Sequence, residues 1–341
     1  MDPSLRPCAG TPTAPAPPGA SARGLAAALA GATGWLNSPP LTEPDLRGRV
    51  VLVDFCTYTC LNWLRTLPYV RAWRERYAVH GLLLIGVHTP EFDFEGDVDN
   101  VRRAVEDLRV AHPIAVDTDR CIWRAFGNRY RPALYLVDGR GRVRYHHVGD
   151  GDHERSERAV QHLLTEAGAR GAVREPVAVD ATGIEAPADR DDLRTSETHL
   201  GHDRAEDFLP RPGPVLDERH VYEVPAALPL NRWALSGDWT VRRQAAVLNR
   251  AGGRIAFRFH ARDVHLVAGP VAREQPVRFR VSVDGRPPGA AHGIDVDEHG
   301  DGTIALPRLH QLVRQPRPVV ERTLGITFLD PGVRAYAFTA G

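Results

Sequence analysis

The chain has 341 residues, a length typical of two domains, and 43% of them are hydrophobic, which is enough for ordinary globular cores. Lysine plus arginine equal aspartate plus glutamate at 43 each, so no net positive charge points to a nucleic-acid partner. No apolar run reaches the roughly 18 residues that a transmembrane helix needs. These values favour a globular protein with no nucleic-acid partner and no membrane span in this sequence.

The cysteine pattern and the N-terminus bear on the cellular setting. Cys8, Cys56, Cys60 and Cys121 include no pair with C-x-x-C spacing, and four cysteines are too few for a disulfide framework in a chain of this length. The N-terminus has no basic segment followed by an apolar stretch, as a secretory signal would have. As written, the sequence therefore predicts a cytoplasmic location.

Composition and periodicity divide the chain into four segments. Residues 1–33 are rich in Pro, Ala, Gly and Thr and are predicted to be a disordered arm. Residues 34–170 alternate between strand and helix patterns. Residues 171–194 are predicted to be a connector, and residues 195–341 a separate all-β domain.

The segment 34–170 follows an α/β pattern. Its predicted elements are, in chain order, strand 49–55, helix 61–79, strand 81–87, helix 99–110, strand 113–116, helix 122–126, hairpin 132–147 and helix 154–168. The first two strands are continuous apolar runs, which are typical of strands buried on both faces of a sheet. Parallel βαβ units followed by an antiparallel hairpin and a closing helix resemble the thioredoxin layout.

The last segment has the period of β-strands. Apolar and polar residues alternate at 253–260, 277–284, 323–328 and 333–338, with turn residues between them. This pattern predicts an antiparallel, jelly-roll-like β-sandwich. Trp233, Trp239 and Phe257 are predicted to be core aromatics; the alternative is a sugar-stacking platform, which would make carbohydrate a partner.

One loop carries the strongest chemical signal. Cys60 lies between a predicted buried strand and the predicted helix 61–79. At the start of a helix, free backbone N–H groups and the macrodipole favour a thiolate, which is the nucleophilic form of cysteine. Cys121 also begins a predicted helix, but no other signal surrounds it, and it is interpreted as structural.

The residues around this loop resemble the thioredoxin active site. In that family the strand reads V-D-F-W and the loop ends in W-C-x-x-C. Asp54 and Phe55 match the strand, and Cys60 falls on the first, nucleophilic cysteine. Cys56 occupies the tryptophan position and Trp63 occupies the position of the resolving cysteine, so the two residue types have changed places.

The resemblance implies roles for two further positions. Asp54 corresponds to the buried carboxylate that handles the proton of the resolving cysteine, although Trp63 offers no thiol. Pro132 lies in a segment that resembles the cis-proline loop. A cis peptide before Pro132 would present backbone to a bound thiol or peptide beside Cys60.

Motifs along most of the chain resemble one branch, the soluble C-terminal part of DipZ-type proteins. There, a membrane electron carrier is fused to a thioredoxin-like domain and a carbohydrate-module-like β-sandwich. The resembling stretches are 34–38, 64–70, 86–92, 127–130, 197–201, 235–239 and 329–332. The C-x-x-C pair and the membrane part are both missing from this sequence. If the chain is a fragment of a membrane-fused protein, the resemblance implies an extracytoplasmic location.

The leading hypothesis is an atypical thiol–disulfide oxidoreductase that uses Cys60 as its single active-site nucleophile and needs no cofactor. Its partner would be a disulfide-containing protein or a low-molecular-weight thiol, and the mixed disulfide would be released by Cys56 or by an external thiol. The alternative is that Cys56 has no redox role and is a small apolar side chain at the position of the family's tryptophan. The competing hypotheses are a redox-inactive binding protein, a recruited non-redox enzyme, and a Cu(I) site formed by Cys56, Cys60 and His88.

Overall fold

A computed structural model describes residues 22–170 and 175–341. The described residues separate into two compact units, with the boundary between Ala186 and Pro187. The boundary falls inside the segment 171–194, which was predicted to be the connector. Cys8 lies outside the described residues. Within the described ranges, no helix is both long enough and apolar enough to cross a membrane.

The first unit contains one six-stranded sheet. Its strands are β1 Gly34–Leu36, β2 Val50–Cys56, β3 Leu82–His88, β4 Ile114–Val116, β5 Ala133–Val137 and β6 Val143–Val148. Their order across the sheet is β1-β4-β3-β2-β5-β6. Strand β3 is parallel to both β2 and β4, and the other neighbours are antiparallel. Strand β2 is therefore central, which explains its continuous apolar sequence.

Helices cover the sheet, and the side chains on the two faces of β2 pack in two different cores. The helices are α1 Ala22–Leu29, α2 Glu43–Leu46, α3 Leu61–Tyr77, α4 Val98–Asp107, α5 Cys121–Ala125 and α6 His153–Glu166. Val51 and Val53 of β2 pack in one core. Leu52 packs in the other core, together with Trp73 of α3 and Val160 of α6. Because side chains alternate along a strand, the even-numbered residues of β2 face α3.

The structure differs from the prediction near the N-terminus. Helix α1 lies inside the segment 1–33 that was predicted to be a disordered arm. Leu25 and Leu29 are four residues apart on one helix face, and both are buried in the core that contains Ile122. The alanine-rich composition that indicated a linker is also the composition that favours a helix. Two spaced leucines are enough to anchor it.

The second unit is a β-sandwich. Its strands are β7 Thr198–His199, β8 Phe208–Leu209, β9 Arg219–Tyr222, β10 Trp233–Val241, β11 Ala246–Leu248, β12 Arg254–Phe259, β13 Asp263–Pro270, β14 Val277–Val283, β15 Asp301–Ile304, β16 Arg308–Arg314, β17 Arg322–Phe328 and β18 Val333–Ala340. All the pairings named for these strands are antiparallel except that between β8 and β10. The predicted fold class, a thioredoxin-like α/β domain followed by an all-β sandwich, is confirmed.

Strand β10 belongs to both layers of the sandwich. Its first part pairs with β12, and its last part pairs with β11. Gly237 lies at the change of partner with φ +88°, a left-handed conformation that glycine adopts without steric cost. Strands that pass from one layer to the other form the corners of such sandwiches.

The three aromatic residues singled out in this unit belong to its core. Trp233, Trp239 and Phe257 each have 0% of their surface exposed. The indole N–H of Trp233 donates to the backbone carbonyl of Glu206 at 2.8 Å, and that of Trp239 donates to Ser236 at 2.8 Å. The prediction of core aromatics is right, and the sugar-stacking alternative is wrong for these residues because their ring faces are covered by protein.

Candidate functional site

Cys60 is the partly exposed end of an otherwise buried loop. It is the N-cap residue of α3, and the preceding residues Thr57, Tyr58 and Thr59 are all buried. The backbone N–H of Cys60 donates to the carbonyl of Thr57 at 3.0 Å, which closes a tight turn. The carbonyl of Cys60 accepts from Leu64 at 3.0 Å, the first hydrogen bond of the helix. The thiol therefore lies at the open N-terminal end of a 17-residue helix.

Trp63 makes a hydrogen bond with the buried carboxyl of this site. Its indole N–H donates to Oδ2 of Asp54 at 2.9 Å, and both side chains are buried. Burial raises the pKa of Asp54 to about 7, and the hydrogen bond from Trp63 opposes this shift. Within the described residues, Oδ1 of Asp54 has no hydrogen-bond partner. The carboxyl is thus held by one oxygen, and burial favours its protonated form.

Cys56 is a second, buried thiol at the end of β2. It is 2% exposed. Its pKa is raised well above the usual value, first by burial and then by the negative charges of Asp54 and Cys60. Since Asp54 and Cys56 are two residues apart on a strand, their side chains leave the same face of the sheet. The site therefore contains two thiols of opposite character, one partly exposed and one buried beside a carboxyl.

His88 lies beside Cys56 but the structure does not assemble a metal site there. The two residues are register partners on β2 and β3. His88 is buried and its ring stacks on Tyr58 at a centroid distance of 5.5 Å. Burial, reinforced by the charge of Arg131, lowers the pKa of His88 to about 3. Across the described ranges, Cys56, Cys60 and His88 are not among the groups whose ligand atoms lie within 4.8 Å of one another.

The peptide bond between Arg131 and Pro132 is cis. Pro132 directly precedes β5, whose first residue Ala133 pairs with Phe55 of β2. The register therefore brings Pro132 to the end of β2 where Cys56 lies.

Arg131 is a site residue that the sequence reasoning missed. Its guanidinium forms a largely buried ion pair with Glu91, with N and O 3.3 Å apart, and lies 5.4 Å from the ring centroid of Trp123. Its charge lowers the pKa of His88 and, as the smallest named contribution, that of Cys56. Its position immediately before Pro132 was the available signal.

Glu95 was also missed. It is 0% exposed and lies on the short turn that follows β3. The Thr59 hydroxyl donates to it, as do the backbone N–H groups of Glu91 at 2.6 Å and Phe92 at 2.9 Å. Burial, with the nearby charge of Glu91, raises the pKa of Glu95 to about 7. Glu95 thus links Thr59, the residue before Cys60, to the backbone that follows β3. Its proximity to the motif 86–92 was the only sequence signal.

Comparisons with known proteins agree with this architecture. Residues 195–341 match the family model described as "Thioredoxin like C-terminal domain". Protein DipZ of Mycobacterium bovis is 33% identical over 325 residues, which cover 93% of this chain and 43% of DipZ. DipZ of Mycobacterium tuberculosis gives the same values. The chain therefore spans less than half the length of these relatives.

A smaller relative matches a shorter part of the chain. The thiol-disulfide oxidoreductase YkuV of Bacillus subtilis is 28% identical over 138 residues, which make up 40% of this chain and 93% of YkuV. The DipZ match extends over both units, whereas this one has the length of a single thioredoxin-like domain. Together with the fold, these matches confirm the resemblance predicted from the motifs: the chain corresponds to the thioredoxin-like C-terminal region of DipZ-type proteins.

Proposed function

We propose that this protein is an atypical thiol–disulfide oxidoreductase in which Cys60 is the nucleophile. The observation that carries the proposal is the placement of Cys60. It is the one partly exposed residue of a buried loop and stands at the N-terminus of α3, where the free N–H groups favour a thiolate. The chemistry is attack of the Cys60 thiolate on a disulfide, which forms a mixed disulfide and releases one thiolate.

The substrate class follows from the same geometry. A disulfide must approach Cys60 from solvent, since the rest of the loop is covered. The cis-proline segment at the end of β2 would supply backbone beside a bound peptide or small thiol adduct. We therefore propose a disulfide-containing protein or a low-molecular-weight disulfide as substrate. The name of the relative YkuV, a thiol-disulfide oxidoreductase, supports this reaction class.

Trp63 makes the reaction different from that of a C-x-x-C protein. An indole cannot attack a mixed disulfide, so its release needs another thiol, and insulin reduction should be slower than in a C-x-x-C protein. The indole of Trp63 donates a hydrogen bond to the carboxyl of Asp54 at 2.9 Å, so this carboxyl has a polar partner without a thiol at position 63. That observation is also what favours the competing hypothesis, a redox-inactive domain that binds peptides.

The experiment that separates the two is exchange with oxidised glutathione, read by peptide mass spectrometry. We expect Cys60 to be oxidised in the unaltered protein, as its glutathione adduct or as the disulfide to which that adduct resolves. In Cys60→Ser, only the slower exchange of the other thiols, among them the exposed Cys121, should remain, whereas Cys121→Ser should keep the oxidation of Cys60. If Cys60 stays a free thiol and the exchange rate is unchanged in Cys60→Ser, the binding-domain hypothesis is left in place.

A further inference from the structure

The proposed reaction leaves a mixed disulfide on Cys60, and something must release it. We propose that Cys56 is the resolving thiol of this site and that Oδ1 of Asp54 accepts its proton. This inference rests on the proposed function of Cys60. It assigns to the buried thiol on the strand the step that a C-x-x-C protein assigns to a thiol on the helix.

Asp54 and Cys56 lie close together on β2. Both are even-numbered residues of β2 and share the face that is covered by α3. Trp63 reaches this face from α3 and occupies Oδ2 of Asp54. Oδ1 stays without a hydrogen-bond partner in the described part of the chain, inside the core. A buried carboxyl oxygen with no donor, beside a buried thiol, is placed to receive that thiol's proton.

The turn before α3 sets where Cys60 lies relative to Cys56. A disulfide requires Cα atoms closer than about 7 Å. The hydrogen bond from Cys60 N–H to the Thr57 carbonyl closes a four-residue turn that begins directly after Cys56. The two thiols are near enough for charge on Cys60 to raise the pKa of Cys56. The loop therefore folds Cys60 back toward the strand end instead of extending away from it.

Electrostatics give the two steps an order. While Cys60 is a thiolate, its charge and that of Asp54 both keep Cys56 protonated. Once Cys60 is in a mixed disulfide, its charge is gone and one of these two contributions disappears. Cys56 then loses its proton more easily, and only then is there a bond for it to attack. The buried thiol is held inactive until the intermediate exists.

The Cys60 thiolate attacks a disulfide RS–SR′, forms Cys60–S–S–R and releases R′S⁻. Asp54 Oδ1 takes the proton of Cys56, and the Cys56 thiolate attacks Sγ of Cys60. The bond to R breaks, RS⁻ leaves with the electron pair, and the proton on Asp54 passes to it. The two protein thiols are oxidised to one disulfide, and the substrate disulfide is reduced to two thiols. An external thiol reduces the protein disulfide again.

One equivalent of dithiobis-nitrobenzoate, an aromatic disulfide that releases a coloured thiolate, tests this sequence. The assay uses the full chain with Cys8→Ser and Cys121→Ser, so that only Cys56 and Cys60 remain. We expect two coloured thiolates per protein and a final mass two hydrogens lower than that of the starting protein. Adding Cys56→Ser should leave one released thiolate and a stable adduct on Cys60. Cys56→Ala, a smaller apolar replacement, should behave the same way.

Asp54→Asn supplies the positioning test. It should slow the second release about 100-fold relative to the first, because a proton acceptor is lost while the nucleophile stays. A stable adduct on Cys60 even with Cys56 present would overturn the inference and leave the proposed function standing. Equal rates of second release in Asp54→Asn and its parent would remove the carboxylate from the step. Failure of Cys60 to release any thiolate would instead overturn the proposed function.

Discussion

Buried tryptophans play different parts in the two units. In the sandwich, the indoles of Trp233 and Trp239 donate to backbone carbonyls, which are neutral at every pH. In the first unit, the indole of Trp63 donates to the carboxyl of Asp54, whose pKa burial raises to about 7. The same side chain therefore completes a core in one region and regulates a titratable group in the other. Burial alone does not tell a packing residue from a site residue; the partner of its polar atom does.

The largest expected effect tests this comparison through stability. Trp233→Ala should destabilise the sandwich by about 3–5 kcal/mol, because it removes a fully buried ring. The loss should be the same at pH 6 and pH 8, since the partner of the indole is uncharged. Trp63→Phe keeps a ring in place and should cost the first unit less, about 1–3 kcal/mol for the lost hydrogen bond to a buried group.

The pH dependence sharpens the contrast. The hydrogen bond from Trp63 lowers the pKa of Asp54, so its removal raises that pKa further. The penalty of Trp63→Phe should therefore grow as pH rises through 7 and the carboxyl ionises. Urea unfolding of both variants at the two pH values measures this. A Trp233→Ala loss that also changes with pH, or a Trp63→Phe loss that does not, would contradict the distinction.

Exchanging the residues at positions 56 and 63 would restore the residue order of the thioredoxin motif. Cys56 and Trp63 are both buried, so each single exchange disturbs packing. Trp63→Cys should cost about 3–5 kcal/mol through the cavity that it leaves, and Cys56→Trp about 1–3 kcal/mol through overpacking. If the two positions share volume, the double variant should cost less than the sum and should gain insulin-reductase activity.

The double variant is measured by the same unfolding experiment and an insulin turbidity assay. Strictly additive costs would mean that the two sites do not share volume and that the exchange of residue types is a coincidence. The single variants serve as the controls: Trp63→Cys creates a C-x-x-C pair with Cys60 but keeps Cys56, whereas Cys56→Trp creates no such pair.

Asp54→Asn is expected to stabilise the first unit at pH 8 but not at pH 4. The pKa of Asp54 is raised from 3.8 to about 7, so the folded state holds its proton more tightly than the unfolded state. The buried carboxyl therefore contributes to the free energy of unfolding at low pH. This contribution is lost as pH rises from about 4 to about 7. The variant should gain about 4 kcal/mol at pH 8, because the pKa differs by about 3.2 between the folded and unfolded states at about 1.36 kcal/mol per unit, and little near pH 4.

The comparison of variant with parent isolates this effect from that of His88. The pKa of His88 is lowered to about 3, so the unfolded state binds its proton first and acid alone destabilises the parent. That contribution is common to both proteins. A gain from Asp54→Asn that is equal at pH 4 and pH 8 would show that its cause is not the ionisation of the carboxyl.

The sequence predicted the fold well because its signals are local and periodic. Apolar runs marked β2 and β3, and alternation marked the sandwich strands. Helix α1 was missed because two buried leucines in an alanine-rich stretch look like a linker. Composition reports the average of a segment, whereas docking depends on single side chains.

Only the site residues that lie close together in sequence were predictable. Cys56, Cys60 and Trp63 stand close together in sequence, so motif and spacing located them. Glu95 and Arg131 reach the site from other strand ends, and nothing in their local sequence shows which side chain they meet. The hydrogen bond of Trp63 to Asp54 could not be foreseen either, because it depends on the angle between α3 and the sheet.

The most direct test of the central claim is the rate at which each cysteine reacts with iodoacetamide across pH. Cys60 and Cys121 are matched, since each stands at the start of a helix and neither is buried, but α3 has 17 residues and α5 only five. We predict that Cys60 is alkylated faster than Cys121 at neutral pH and that Cys56 reacts slowest, because it is buried. If Cys60 is labelled no faster than Cys121, and Cys60→Ser keeps full activity, then Cys60 is not the nucleophile.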